Sequence, residues 1–165
     1  MSDLHCLRCG APLRDVFLEG RERAVCPVCG WVYYPQLKVS AGALIEEDGR
    51  LLLVQRANEP WAGCWYMPAG FVEADEHPAR AAEREASEET GLQIQAGELV
   101  NVYFYADDPR GNGVVILYRA RRIGGQIRTN AEALSVQFFT PAEVLQLPLA
   151  GASADRAVHE WLSRQ

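Results

Sequence analysis

Apolar positions along the chain follow two different periods. Residues 38–47, KVSAGALIEE, alternate with Val39, Ala41, Ala43 and Ile45 on one side, and the other side is only weakly polar, which predicts a buried strand. Asp48-Gly49 is a two-residue hairpin signal, and LLLVQRA, residues 51–57, is the return strand. A loop over 58–62 leads to a short extended segment through Trp65, Tyr66 and Met67. The period then becomes helical. His77 before Pro78 suits an N-cap followed by proline at the first helical position, and the helix runs to Thr90 with Gly91 just past its end. Strands are predicted over 99–106 and 113–121, around the polar loop ADDPRGN, and again over 134–139. Pro141 opens a short helix, and residues 154–164 read as a C-terminal helix with Ala157, Val158, Trp161 and Leu162 inward. Strands and helices interleave without a regular βαβ rhythm. The predicted class is therefore α/β with a mixed sheet between helices.

The helix before Gly91 carries the strongest chemical signal. Glu85, Glu88 and Glu89 sit at i, i+3 and i+4, which at roughly 100° per residue gathers them on one face. Ala79, Ala82 and Ala86 form the neighbouring stripe, small enough for close approach to a sheet. Like charges repel, and anions in a last helical turn oppose the helix dipole by about 0.3–1 kcal/mol. A divalent cation removes the conflict, and hard carboxylate oxygens suit Mg²⁺ or Mn²⁺. Taken alone, three glutamates so spaced read first as a solvated acidic face.

The surrounding residues narrow the choice. GFVEADEHPARAAEREASEETGL, residues 70–92, places Gly70, Glu76, Arg84-Glu85, Glu88-Glu89, Gly91 and Leu92 at fixed intervals. This resembles the Nudix box, G-x5-E-x7-R-E-U-x-E-E-x-G-U with U apolar, and Ala86 is its small first U. The resemblance implies a Nudix α/β/α sandwich over 36–165 and a hydrolase of phosphorus-containing anhydrides. It also implies Glu85, Glu88 and Glu89 as magnesium ligands, helped by the Ala69 carbonyl. Arg84 cannot act as a base and instead orients a carboxylate through a bidentate pair. Glu76 braces the loop or holds a metal through water. Many relatives use one more glutamate from a late loop: Glu132 is the first match and Glu143 the second. The general base is Glu132, Glu88 or Glu89. Arg56, at the end of its strand, either contacts phosphate or faces solvent.

Four of the five cysteines form two pairs, Cys6 and Cys9 in CLRCG and Cys26 and Cys29 in CPVCG, sixteen residues apart. That spacing is expected of a four-thiolate zinc site, with a disulfide framework as the alternative. Gly10 and Gly30 each follow the second cysteine, where a positive φ closes a tight turn. Residues 1–35 are too few to bury a core unaided, so a metal would supply much of their stability. His5 reads as a bystander. The segment resembles the zinc ribbon that precedes some Nudix domains, including those of NADH pyrophosphatases. Arg8, Arg14, Arg21 and Arg23 balance Asp3, Asp15, Glu19 and Glu22, so a basic stripe for nucleic acid is absent. Its expected job is structural, with substrate shaping or a macromolecular contact as alternatives.

Composition bounds the rest. With 48% apolar and 23% charged residues the 165-residue chain reads as globular, and no apolar run reaches a membrane span. The N-terminus lacks a secretory pattern, so the expected location is cytoplasmic. A net charge of -6 argues against nucleic acid. The resemblance allows a homodimer.

Substrate is the finest expectation. The NADH pyrophosphatase SQPWPFP-type motif is missing from QIQAGELVNVYFYADDPRGNG, residues 93–113. Pro109 resembles the downstream proline of ADP-ribose pyrophosphatases, at a slightly long spacing. Trp61, Trp65, Phe71, Tyr103 and Tyr105 offer aromatic platforms for a base, with Trp65, Phe71 and Tyr103 as candidate contacts. The expected substrate is ADP-ribose or a related ADP-linked compound such as FAD. NADH, a (d)NTP or a non-catalytic ligand sensor are the alternatives. Cys64, between Gly63 and Trp65 with no local base, reads as packing rather than as the nucleophile of a Nudix-fold isomerase.

Overall fold

The computed structural model describes residues 4–165; Asp3, counted above in the charge balance, lies outside the described residues. The chain divides into two compact units, Met1–Gln36 and Leu37–Gln165.

In the first unit β1 (Arg14–Leu18), β2 (Arg21–Val25) and β3 (Val32–Tyr33) form an antiparallel sheet in that order. Its apolar core is only Cys6, Leu13, Ala24 and Cys26, with Ala11, Trp31 and Tyr33 against them. Two turns with the same bonding carry the cysteines. Cys6 N–H donates to Ala11 O and Gly10 N–H to Cys6 O; Cys26 N–H donates to Trp31 O and Gly30 N–H to Cys26 O. Gly10 and Gly30 close them at φ 74° and 72°, a left-handed conformation that costs glycine no Cβ clash.

The second unit runs β4 (Lys38–Glu47), β5 (Arg50–Arg56), β6 (Trp65–Tyr66), β7 (Ala69–Phe71), α1 (Pro78–Thr90), β8 (Leu92–Tyr105), β9 (Gly113–Gly125), β10 (Ala133–Phe139), α2 (Pro141–Val144) and α3 (Gly151–Leu162). The sheet order is β10-β5-β4-β9-β8, with β6 on β5 and β7 on β4. Only the β4–β9 pairing is parallel, so the sheet is mixed. Strand alternation sorts its side chains between two cores. Ala43, Ile45, Leu52 and Val54 pack with Ala86 of α1, whereas Leu44, Leu51 and Leu53 pack with Ala157, Val158 and Trp161 of α3. Both faces are covered, which is why β5 reads as a continuous apolar run. This is an α/β/α sandwich.

Helix α1 starts and stops through local chemistry. The His77 ring nitrogen Nδ1 accepts from Ala79 N–H at 3.2 Å, Pro78 follows, and Gly91 at φ 74° returns its N–H to Ser87 O. Ala81, Ala82 and Ala86 are its buried small residues; Ala79 is only half-buried. Ala81 and Ala82 meet Ala41 of β4, and Val39, expected inward, stays 39% exposed near the strand's start.

Several boundaries differ from the sequence reading, among them β9, which runs to Gly125 rather than 121, and two have a clear physical cause. Strand β8 begins at Leu92, seven residues before 99, because Leu92 and Ile94 are buried while Gln93 and Gln95 face out. Register shifts between Ala96 and Asn101 break the alternation that would have shown it. Helix α3 begins at Gly151 rather than 154, and Ala150 provides no side-chain cap. The cap comes from a distant loop, where Asp107 Oδ2 accepts from Ala152 N–H at 2.7 Å.

Candidate active site

Strand β7 lies antiparallel on β4, with Ala41 opposite Gly70 and Gly42 opposite Ala69. The backbones approach closely: a Cβ on Gly42 would stand 2.7 Å from the Ala69 Cβ, and one on Gly70 would collide with the Glu85 carboxylate. Glu85 therefore rests directly on the β7 backbone. Glu89, one turn on, is 5% exposed. Its Oε1 accepts from Tyr66 O–H at 2.5 Å and its Oε2 from Ala69 N–H at 3.0 Å.

Arg84 threads the acidic patch. Its Nε and Nη2 pair with Glu76 at 3.0 and 2.9 Å, and Nη2 also donates to Phe71 O, fixing the loop between β7 and α1. Its Nη1 reaches Glu85 at 2.6 Å and Glu88 at 3.2 Å. Glu88 is the outlying carboxylate, with its side chain 57% exposed.

These groups border a cavity of about 420 Å³. Its lining brings Glu85, Glu89, Glu132, Ala69 and Arg56 together with Phe71, Tyr103, Tyr105 and Asp108. Glu132 arrives on the turn before β10, which is pinned twice. Asn130 Oδ1 accepts from the N–H groups of Glu132 and Ala133, while its Nδ2 donates to Glu88 O at the end of α1. Glu132 O accepts from Ala57 N–H. Arg56 is pinned as well: Nε donates to Asn58 O and Pro60 O. Among the described residues its Nη groups have no hydrogen-bond acceptor, and they remain available to an anion.

The electrostatics follow from enclosure. Burial pushes the Glu89 carboxyl up to about 8, against the stabilising bonds from Tyr66 and Ala69. Burial also raises Glu85, with Arg84 opposing. Glu76 moves the other way, held down by Arg84. Elsewhere in the lining Arg110 holds Asp108 below the usual carboxylate range, and Tyr103 is raised by burial and by its bond to Glu160. Acidic groups that resist ionisation, gathered beside hard oxygen donors in one cavity, fit a divalent cation.

The family model of the NUDIX domain matches residues 36–162. The chain belongs to the Nudix family. It is 34% identical to an ADP-ribose pyrophosphatase of Methanocaldococcus jannaschii over 75% of this chain and 72% of that protein. It is 27% identical to the NAD-capped RNA hydrolase NudC of Stutzerimonas stutzeri, over 97% of this chain but only 56% of that longer protein. Among solved structures, a Nudix hydrolase from Nitrosomonas europaea superposes with a TM-score of 0.83 at 30% identity, covering 97% of this chain and 91% of that one.

The Nudix cavity does not gather every residue singled out from sequence. Trp65, expected at the substrate, is buried in the core edge-on to Phe139, 4.7 Å between ring centroids, because the alternation of β6 turns it away from Tyr66. Trp61 borders the cavity in its place. Glu143 does not border it: its carboxylate accepts from Thr140 N–H in a capping box at the start of α2. The Thr-x-x-Glu spacing at 140–143 carries that signal. Tyr66 and Asn130 were missed. Tyr66 looks like any alternating strand aromatic, while Asn130 sits in a turn whose target is remote in sequence.

In the N-terminal unit the four cysteine sulfurs all lie within 4.8 Å of one another. Cys6–Cys29 and Cys9–Cys26 separations are 3.5 Å, and Cys9–Cys29 is 3.7 Å. These are far beyond a disulfide bond and near the ~3.8 Å edge of a tetrahedron with metal–sulfur bonds of about 2.3 Å. The Cys29 N–H, with Val28 and the neighbouring thiols, holds Cys26 down to about 6. Among the described residues this is the one group of three or more ligand atoms drawn so tightly together.

The Glu89 environment predicts an unusual pH dependence for magnesium-free protein. An unfolded glutamate loses its proton near 4.5, whereas folded Glu89 keeps it to about 8. The folded state therefore binds more protons across that window, and stability falls as pH rises, by at most ~1.4 kcal/mol per unit. Urea unfolding of wild type and Glu89→Gln over this range should show the decline in wild type and its flattening in the variant. Parallel curves would reject the assignment.

Proposed function

We propose that the chain hydrolyses the diphosphate of a nucleoside diphosphate linked to another group, with ADP-ribose or a related ADP-linked compound such as FAD as substrate. The observation that carries this reading is the mixed lining of the cavity. A wholly acidic pocket would suit a cation alone, and a wholly aromatic one would suit a base alone. Here Glu85, Glu89 and Glu132 share one lining with Phe71, Tyr103 and Tyr105, around about 420 Å³. The similarity to an ADP-ribose pyrophosphatase supports the choice of ligand.

Glu85 and Glu89, with the Ala69 carbonyl, would hold Mg²⁺ or Mn²⁺, and Glu88 would join them at the rim. A cation held there would neutralise diphosphate oxygens and lower the pKa of an attacking water. Arg56 presents its Nη groups to the diphosphate, its Nε already committed to the loop. Arg84 stays protonated and fixes Glu85 and Glu76 without moving a proton. Among the available carboxylates, Glu132 suits the base best, because none of the carboxylate bonds that hold Glu85 and Glu89 engage it. The aromatic side chains of the lining bind the base of the nucleotide. The four cysteines hold structural zinc, consistent with their near-tetrahedral spacing. No helix among the described residues is long and apolar enough to cross a membrane.

Glu85→Gln and Glu89→Gln should each lower kcat by about a hundredfold or more, roughly 2.7 kcal/mol of barrier, with the fold retained. Retention of more than half the activity at saturating Mg²⁺ would remove that residue from the site. A panel of ADP-ribose, FAD, NADH and dNTPs, read by product identity, should give AMP from the preferred substrate. NADH or dNTPs ahead by tenfold in kcat/KM would reject the substrate while leaving the family chemistry in place.

Elemental analysis should find about one zinc per chain. Cys26→Ser should loosen the N-terminal unit before it affects turnover. A zinc-free protein with Cys6–Cys29 or Cys9–Cys26 disulfides on isolation would contradict the assignment.

A further inference from the structure

Tyr66 stands outside the box pattern, yet it makes the shortest polar contact to Glu89. The ring is 8% exposed and belongs to the core cluster with Ile45, Val54 and Ala86. Phenylalanine would satisfy that packing, and burying a hydroxyl costs free energy unless it is paired. Its partner is Glu89 Oε1 at 2.5 Å, the carboxylate whose other oxygen accepts from Ala69 N–H. The two donors come from different strands, β6 and β7, so the carboxylate is located from two directions. Each oxygen accepts one hydrogen bond and keeps a lone pair free. The ring cannot readily shift: β6 pairs with β5 at Val54–Tyr66, and the Arg56 guanidinium lies 5.7 Å from the ring centroid.

We propose that Tyr66 is a positioning residue whose hydroxyl presets the Glu89 carboxylate for a divalent cation; this rests on the reading of Glu89 as an acidic ligand. The physical basis is pre-organisation. A glutamate side chain ordered in advance does not lose its rotamer freedom on binding. The same side chain thus meets Glu89 through its hydroxyl and the Arg56 guanidinium through its ring face.

The test is a double-substitution cycle read by Mn²⁺ alone, with free Mn²⁺ measured by electron paramagnetic resonance in the absence of any nucleotide. Tyr66→Phe should weaken Mn²⁺ binding by about tenfold, in line with a lost hydrogen bond to a charged group, while Tm changes little. With ADP-ribose, kcat should fall and KM should not. Tyr66→Phe/Glu89→Gln should bind Mn²⁺ no more weakly than Glu89→Gln alone, because the hydroxyl acts only through that carboxylate. Wild-type Mn²⁺ affinity in Tyr66→Phe, or additive losses in the double variant, would overturn the proposal. So would a collapse of Tm in Tyr66→Phe, which would assign the hydroxyl to stability. If Glu89→Gln itself bound Mn²⁺ like wild type, the ligand reading of Glu89 would fall first, which separates the two failures.

Discussion

A carboxylate held in a nearly closed space, beside others of the same sign, is the constraint on which this catalytic unit depends. Glu89 is 5% exposed and Glu85 rests on the backbone of Gly70. Both are pushed toward their neutral forms by burial. Protein groups offset only part of that cost: Tyr66 and Ala69 donate to Glu89, and Arg84 reaches Glu85 and Glu88. A helix selected for packing alone would place alanine there. The proposed cation gives the arrangement its physical sense, because hard oxygen donors in an enclosed site gain most from a small divalent charge.

The fold serves that constraint by letting backbones approach. Strand β4 pairs in parallel with β9 along one edge and takes β7 on the other, so the short β7 is carried beneath α1. Gly42 and Gly70 leave no side chain in the way, and Ala81, Ala82 and Ala86 keep the helix low over the sheet. The late turn is then fastened to the same helix end by Asn130, which brings Glu132 to the cavity. Opposite, α3 covers the second face with Ala157, Val158 and Trp161 and receives its N-terminal cap from Asp107. The wall that carries the aromatics is thus tied to the helix that supports it.

Where a feature is produced by neighbours in sequence, it was legible there. The ends of α1 come from His77-Pro78 and Gly91, the hairpin from Asp48-Gly49, and the sulfur cluster from two CxxC pairs. Helical spacing puts Glu85 and Glu89 on one side, and the box pattern around them, rather than that spacing alone, singled them out from a solvated acidic face. Features set by tertiary contact were not. The early start of α3 depends on Asp107, forty-five residues away, and a register shift hides the first half of β8. Trp65 and Trp61 cannot be ranked without knowing which side of β6 faces the core. Tyr66 is the sharpest case: its ring follows the apolar pattern, while its hydroxyl answers to a glutamate twenty-three residues on.

If the enclosed carboxylates are arranged for a cation, the cation must stabilise the fold without any substrate. Protein freed of magnesium by gel filtration, heated with and without millimolar MgCl₂ at matched ionic strength, tests this most directly. A ligand that binds only the folded state at a hundred times its Kd adds about 2.7 kcal/mol. The account predicts a rise in Tm of several degrees with MgCl₂ over NaCl, abolished when Glu85 and Glu89 are both replaced by glutamine. An unchanged Tm in the wild type would contradict it.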